Sequence, residues 1–278
     1  MVKSRFMGIA ALVLLNLSAV SLMAAELPKA SAERLEKRII DLSQYGRNAD
    51  GGVDRVAFSD ANVEGHKFMV GLMKASGLEV SVDPAGNIIG KRPGKNPNLP
   101  PILFGSHIDS VPGGGNYDGD VGVMAALEVM DLLNSANIVT DHPLEMMVFT
   151  AEESSMIGSR SFTGDLSERT IKEFTTPGTM RTDGLDRLGG DHTKLQQAAR
   201  KTPIHAFVEL HIEQGGILES KKLNIGIVEG IVGISTWPIT VEGFANHAGT
   251  TPMPGRRDAL VAASKLIVAI NDIATNME

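Results

Sequence analysis

Two kinds of hydrophobic pattern alternate along this chain, and they predict helices and strands that follow one another. Apolar residues recur at helical spacing over 31–46, as Leu35, Ile39 and Leu42, and helical patterns return over 59–74 and 121–133. Short apolar runs predict strands over 78–82, 88–89, 102–104, 144–150 and 206–210. This alternation predicts an α/β fold, with a mostly parallel central sheet flanked by helices.

The pattern changes after residue 233, where a predicted strand over 237–241 precedes an amphipathic helix over 259–273. We therefore expect one large domain over 26–232 and the start of a smaller α/β domain over 233–278. A composition of 42% hydrophobic and 21% charged residues fits an ordinary globular protein. The net charge of -7, with no basic run after residue 5, argues against nucleic acid as a partner.

The first 25 residues have the pattern of a secretory signal peptide. Lys3 and Arg5 precede a mostly apolar run over 6–23, and the small residues Ala24 and Ala25 follow it. An N-terminal membrane anchor is the alternative, but the run is short and contains polar residues. We expect cleavage near Ala25, a periplasmic or secreted protein, and no stable membrane span after processing. The lack of cysteine fits an oxidising compartment.

Four groups of residues that commonly bind metals lie near the ends of predicted elements. They are His107 and Asp109 after strand 102–104, Asp118 in a glycine-rich loop, Glu152 and Glu153 after strand 144–150, and His211 after strand 206–210. Each group alone is weak evidence, because a lone histidine, an Asp beside Gly or two adjacent glutamates usually have structural or solvent-facing roles. Together they form a ligand set for a divalent metal such as zinc, manganese or cobalt.

Five strings of sequence resemble a known family. They are Gly105–Asp109 with 113–122, Thr150–Ser155, Glu209–Gly215 and Asn246–Met253. These strings resemble the hydantoinase/carbamoylase branch of the di-zinc aminoacylase-like metallopeptidase superfamily, which includes N-carbamoyl-L-amino-acid hydrolases and allantoate amidohydrolases. The likeness runs from about residue 31 to the end, and the His-Ile-Glu-Gln-Gly and His-Ala-Gly-Thr-Thr-Pro-Met strings are specific to this branch.

The resemblance implies a role for each matching residue and a site with two divalent ions, zinc or else manganese or cobalt. His107 and His211 would bind one ion, Glu153 the other, and Asp118 both; Glu152 would be the general base, Asp109 would orient His107, Gln214 would contact substrate, and His247 would polarise the scissile carbonyl. The smaller domain would form a homodimer, in which His247 reaches the active site of the partner subunit.

The implied function is hydrolysis of linear C–N amide bonds in N-carbamoyl amino acids or ureido compounds such as allantoate. An aminoacylase or exopeptidase of the same superfamily and an inactive truncated remnant are the alternatives. Asp120 lies where the branch usually has a small or apolar residue, and the loop after Ser155 looks shortened. The family pattern continues beyond Glu278 with a further His ligand, so the resemblance implies a C-terminal truncation and little activity for these 278 residues alone.

Overall fold

The computed structural model describes residues 28–176 and 178–277, so the predicted signal peptide lies outside the described part of the chain. The chain packs as two compact units, the first ending at Gln214 and the second beginning at Gly215. The predicted boundary between a catalytic domain and a smaller domain at residue 232 stays a prediction, because compact packing does not show which residues belong to which functional domain.

The first unit contains a five-stranded sheet in the order β1-β2-β4-β3-β5. Its strands are β1 (Glu79–Val82), β2 (Ile88–Arg92), β3 (Ile102–His107), β4 (Leu144–Phe149) and β5 (Ala206–Val208). Strand β3 pairs in parallel with β4 and β5, whereas β1 with β2 and β2 with β4 are antiparallel. The predicted α/β class is confirmed, in a sheet whose parallel part is β4-β3-β5.

A tight turn between β1 and β2 explains the antiparallel edge. The Asp83 carboxylate accepts the backbone N–H groups of Ala85 and Asn87, at 2.9 and 3.0 Å, and Gly86 has a φ of +82°. So short a connection can join only antiparallel strands, because a parallel crossover needs a dozen residues or more.

Helices cover the sheet, and the longer ones begin at the residues that the sequence pattern indicates. The helices of the first unit are α1 (Ala32–Ser43), α2 (Asp60–Ala75), α3 (Asp120–Ser135), α4 (Ile157–Thr163), α5 (Glu168–Thr175), α6 (Met180–Arg187) and a 3-10 helix (His192–Ala198). Ser31 and Ser59 cap α1 and α2 by accepting the backbone N–H of the residue three positions on. Residues 165–203, which carry no clear periodicity, fold into the short later helices.

Aliphatic and methionine side chains fill the space between the sheet and helices α1, α2 and α3. Residues of this core that are fully buried include Leu42, Met69, Met73, Ile88, Val123, Met124, Leu127, Met130 and Met146. A second apolar cluster gathers around Phe58, Phe174 and Leu185. Burial of each large side chain contributes about 1.5–3 kcal/mol, so this core fixes α3 against the parallel strands.

The second unit contains α7 (Ile217–Lys221) and α8 (Ala259–Thr275), and α8 confirms the predicted amphipathic helix. The predicted strand over 237–241 is wrong, since no strand occurs among the described residues of this unit. Trp237 and Ile239 are 77% and 61% exposed there, and a strand needs a paired neighbour to satisfy its backbone. No helix in the described ranges has both the length and the apolar character that crossing a membrane requires.

His66 of α2 is a buried histidine that the metal-type clusters do not include. It is 5% exposed, and its Nε2 lies 2.8 Å from the Gly86 carbonyl oxygen in the turn between β1 and β2. Burial lowers the pKa of His66 to about 4, although the Gly86 contact acts in the opposite direction. In the same turn, burial raises the pKa of Asp83 to about 6.

We predict that His66→Gln changes how stability depends on pH. Native His66 stays neutral down to pH about 4, but the unfolded chain takes up a proton below about 6.5, so its contribution is lost as pH falls through this window. Asp83 has the opposite effect, because its contribution to stability is lost as pH rises from about 4 to about 6. The two residues together therefore make the stability of the wild type less dependent on pH. The difference in the free energy of unfolding between wild type and variant isolates the contribution of His66. This difference should change by about 3 kcal/mol between pH 7 and pH 4, in favour of the variant at low pH. Urea unfolding at several pH values measures it, and a difference that stays constant with pH contradicts it.

Candidate functional site

The carboxyl ends of the three parallel strands bring the predicted metal ligands together. Strand β3 ends at His107, which pairs in register with Phe149 at the end of β4, and β5 leads into the segment that carries His211. One ligand atom from each of His107, Asp118 and His211 lies within 4.8 Å of the others. His211 Nε2 is 3.2 Å and His107 Nε2 is 3.8 Å from Asp118 Oδ1. Two imidazoles and a carboxylate at these separations form a plausible donor set for zinc.

His107 is held in one orientation by its surroundings. It is 2% exposed, and its Nδ1 lies 3.0 Å from the main-chain oxygen of Asp109, so that Nδ1 donates and the Nε2 lone pair faces the other ligands. Its ring packs on Gly119, where a Cβ atom would lie 2.6 Å from the ring and where φ is +66°. Burial lowers the pKa of His107, but the carboxylates of Asp109 and Glu152 outweigh this effect, and the net shift is upward.

The Asp109 carboxylate does more than face His107. It lies 3.7 Å from His107 Nδ1, while its two oxygens accept the backbone N–H groups of Glu152 and Glu153, each at 3.1 Å. The main-chain carbonyl of Asp109 therefore makes the orienting contact to the imidazole, and the carboxylate ties the β3 loop to the glutamate loop. The sequence pattern did not indicate this second contact, because it joins residues more than forty positions apart.

The two glutamates lie in a turn that closes on itself. Ala151 and Met156, on either side of them, have φ values of +53° and +52°, which residues with a side chain adopt at an energetic cost. The Ala151 carbonyl oxygen accepts the backbone N–H groups of Ser155 and Met156, and these bonds hold the turn. The backbone of both glutamates is therefore fixed by the turn and by Asp109.

Glu153 and Asp118 form a pair of carboxylates that fits a second cation. Burial raises the pKa of Glu153 to about 7, and a side-chain hydrogen bond with Asp118 and the negative charge of Asp118 add to the increase. The negative charge of one carboxylate disfavours ionisation of the other, and a divalent ion between them would offset this repulsion. The donor atoms thus fit one metal at His107, His211 and Asp118, and a second at Asp118 and Glu153.

Glu152 lies at the open side of this group. Its Oε2 is 3.6 Å from His107 Nε2, and its side chain is 44% exposed. The carboxylate is therefore accessible to water and to a small substrate while its backbone is held by Asp109. This is the arrangement that a general base needs.

The segment after β5 is anchored beside the ligands. Ser106 Oγ donates to Glu209 Oε1 at 2.5 Å, and the Leu210 carbonyl oxygen lies so close to Gly122 that a Cβ there would be 2.3 Å away. These contacts place His211, whose side chain remains 35% exposed. Gln214, predicted to contact substrate, is exposed at the end of the first unit.

His247 belongs to the second unit and is oriented by its own turn. The backbone N–H groups of Gly249 and Thr250 donate to its Nδ1, at 3.1 and 3.2 Å. In the neutral ring the proton is therefore on Nε2, which becomes a hydrogen-bond donor. Arg256 braces this turn by donating to the carbonyl oxygens of Ala248 and Thr251. An imidazole with a fixed Nε2–H suits the predicted role of polarising a carbonyl oxygen.

Comparisons with known proteins show which proteins this chain resembles. Residues 87–206 match the model of Peptidase family M28. An N-carbamoyl-L-amino acid amidohydrolase of Geobacillus stearothermophilus is 41% identical over 87% of this chain, and an allantoate amidohydrolase of Bacillus subtilis is 38% identical over 81%. The crystal structure of a hydantoinase/carbamoylase family amidase from Burkholderia ambifaria superimposes with a TM-score of 0.70, at 34% identity and over 89% of this chain.

These findings confirm the resemblance to the hydantoinase/carbamoylase branch. The chain spans 61% and 56% of the length of the two curated relatives and 62% of the length of the solved structure.

We predict that zinc binding depends on His211. Removing its imidazole takes away one of the three side chains that the structure groups together, so His211→Ala should weaken Zn²⁺ binding by more than about 10-fold. Isothermal titration calorimetry of the apoprotein measures the affinity. His192→Ala is the matched control, because His192 pairs with Asp186 outside this group. Equal affinities of the wild type and His211→Ala would overturn the ligand assignment.

Proposed function

We propose that the natural protein containing this chain, which resembles hydantoinase/carbamoylase amidases over most of its length, is a metal-dependent hydrolase of linear C–N amide bonds. The observation that carries the proposal is the grouping of His107, Asp118 and His211 with Glu152 at its open side. The names of the relatives support N-carbamoyl amino acids or ureido acids such as allantoate as the substrate class. The residues described at the site do not favour an aminoacylase, an exopeptidase or an inactive remnant over this proposed function.

The donor set supports zinc as the metal, with manganese or cobalt as alternatives. Imidazole nitrogen and carboxylate oxygen suit all three ions. The chain has no cysteine, so the site has no thiolate ligand, which would select zinc over manganese and cobalt. Such ions supply Lewis-acid polarisation of a carbonyl group and make water more acidic. His107, His211 and Asp118 would hold one ion, and Asp118 and Glu153 the other.

Other residues of the chain transfer protons and hold the groups that react. Glu152 takes a proton from the water that adds to the carbonyl carbon, and returns it to the nitrogen as the C–N bond breaks. Asp109 keeps the Glu152 backbone in place for both transfers. Gln214, at the end of the first unit, would bind polar groups of the substrate.

His247 would complete this chemistry from a partner subunit in a homodimer. Its fixed Nε2–H can donate to the carbonyl oxygen as negative charge develops there. An apolar surface that could support association lies on α8, where Leu260 and Ile267 are 77% and 66% exposed.

Glu152→Gln is predicted to bind zinc like the wild type but to hydrolyse at least about 100-fold more slowly, since the amide cannot accept the proton. The assay uses the natural gene product that contains these residues, with N-carbamoyl amino acids, allantoate, N-acetyl amino acids and dipeptides. Glu79→Gln, at an exposed position of β1, is the control and should keep full activity.

Preferred turnover of N-acetyl amino acids or dipeptides would refute the ureido substrate class. Loss of zinc from Glu152→Gln would show that Glu152 is a ligand and that the roles of Glu152 and Glu153 are exchanged.

Export is a further part of the proposal, and it is supported by the sequence of residues 1–25. We predict that the mature protein from its native host begins near Glu26, because Ala24 and Ala25 are the small residues that a signal peptidase requires. Intact-mass analysis measures the mature N-terminus. A protein that still begins at Met1 would contradict export by a cleaved signal.

A further inference from the structure

A buried arginine next to the candidate metal site has no part in the chemistry described above. Arg55 is 1% exposed, which is unusual for a residue that always carries a charge. Its charge partner is Asp120, also 1% exposed, with 2.6 Å between Arg55 Nη2 and Asp120 Oδ2. Asp120 is the residue that departs from the family pattern.

The Arg55 guanidinium uses each of its nitrogen atoms to hold a different segment. Nε donates to the Ile108 carbonyl oxygen at 2.5 Å, and Nη1 donates to the carbonyl oxygens of Leu42 and Tyr45, at 3.0 and 3.1 Å. A guanidinium group is planar and presents several donors in a fixed geometry, which a lysine cannot reproduce.

Two of these contacts lie next to metal-binding residues. Ile108 separates His107 from Asp109, and Asp120 begins α3 two positions after Asp118. The Arg55 backbone reinforces the first contact by a mutual pair of bonds with Ser110, in which Arg55 N–H donates to Ser110 Oγ and Ser110 N–H to the Arg55 carbonyl oxygen. The Asp120 backbone N–H donates to the Asp118 carbonyl oxygen at 2.7 Å.

A buried ion pair is a poor source of stability, because the desolvation of two charges offsets most of their attraction. The ion pair matters more for geometry than for stability, because it fixes the distance between the two segments that carry its charged groups. Here those segments are the loop of His107 and the loop of Asp118. Neither Arg55 nor Asp120 is among the grouped ligand atoms.

We propose that Arg55 and Asp120 are positioning residues, which fix His107 and Asp118 relative to each other and thereby set the geometry of the metal site. The proposal rests on the assignment of His107 and Asp118 as ligands under the proposed function. It concerns metal binding directly and does not require that the substrate class is correct.

Asp120→Asn tests the proposal, because it keeps the shape of the side chain and removes the charge that holds Arg55. We expect Zn²⁺ affinity to fall by about 10- to 100-fold, as is typical when a partner behind a metal ligand is removed. The absorption spectrum of the Co²⁺-substituted protein should also change, since it reports the arrangement of ligands rather than the stability of the fold.

Glu145→Gln is the matched control. Glu145 pairs with Arg200 at 2.5 Å, is 7% exposed, and lies near the start of β4, at the end of the strand opposite the glutamate turn. It should lower stability without changing zinc affinity by more than about twofold, and its Co²⁺ spectrum should match the wild type. Urea unfolding of each variant shows whether it is folded.

If Asp120→Asn does not fold, Arg55→Lys replaces it, because an ammonium group keeps the charge but cannot reach Ile108 and Asp120 together. A folded variant with wild-type affinity and an unchanged Co²⁺ spectrum would overturn the positioning role, as would equal changes in Glu145→Gln. His211→Ala distinguishes this outcome from a wrong ligand assignment, because a wrong assignment would also leave the zinc affinity of His211→Ala unchanged.

Discussion

Parallel pairing of β3 with β4 and β5 is the constraint on which the site depends. Strands that run in the same direction end at the same edge of the sheet, and here their ends carry His107, the glutamate turn and the segment of His211. Each group comes from a different part of the chain, and the shared edge brings them together. The core between α3 and the sheet maintains this pairing, and α3 in turn places Asp118 just before its first residue.

Carboxylate groups are concentrated at that edge of the sheet. Burial and the neighbouring Asp118 carboxylate raise the pKa of Glu153 to about 7, and Asp109 is buried beside both glutamate N–H groups. Buried carboxylates of this kind are costly unless a cation or several donors compensate them. This cost favours a doubly charged ion at the site, because an ion that offsets the carboxylate charges also removes the cost.

The sequence predicted the secondary-structure elements, and the grouping of His107, Asp118 and His211, better than the contacts between distant segments. Strand ends and the period of α8 are local signals, so they could be read from neighbouring residues. The second role of Asp109 and the pairing of Arg55 with Asp120 could not, because each joins residues that are distant in sequence and are brought together only by the fold. The mistaken strand over 237–241 has the opposite origin, since its local pattern is correct but no paired strand accompanies it in the described chain.

The self-closed turn from Ala151 to Met156 has a consequence for how such sites diversify. Its backbone geometry is determined by hydrogen bonds between its own two ends, by the Asp109 carboxylate from the loop after β3, and by the bond from the Gly158 N–H to the Thr150 carbonyl oxygen. Chain length can therefore change beyond α4 while the contacts that hold Glu152 and Glu153 are kept. A protein built in this way can alter the walls of its substrate pocket through insertions and deletions there while the groups that perform the reaction keep their positions.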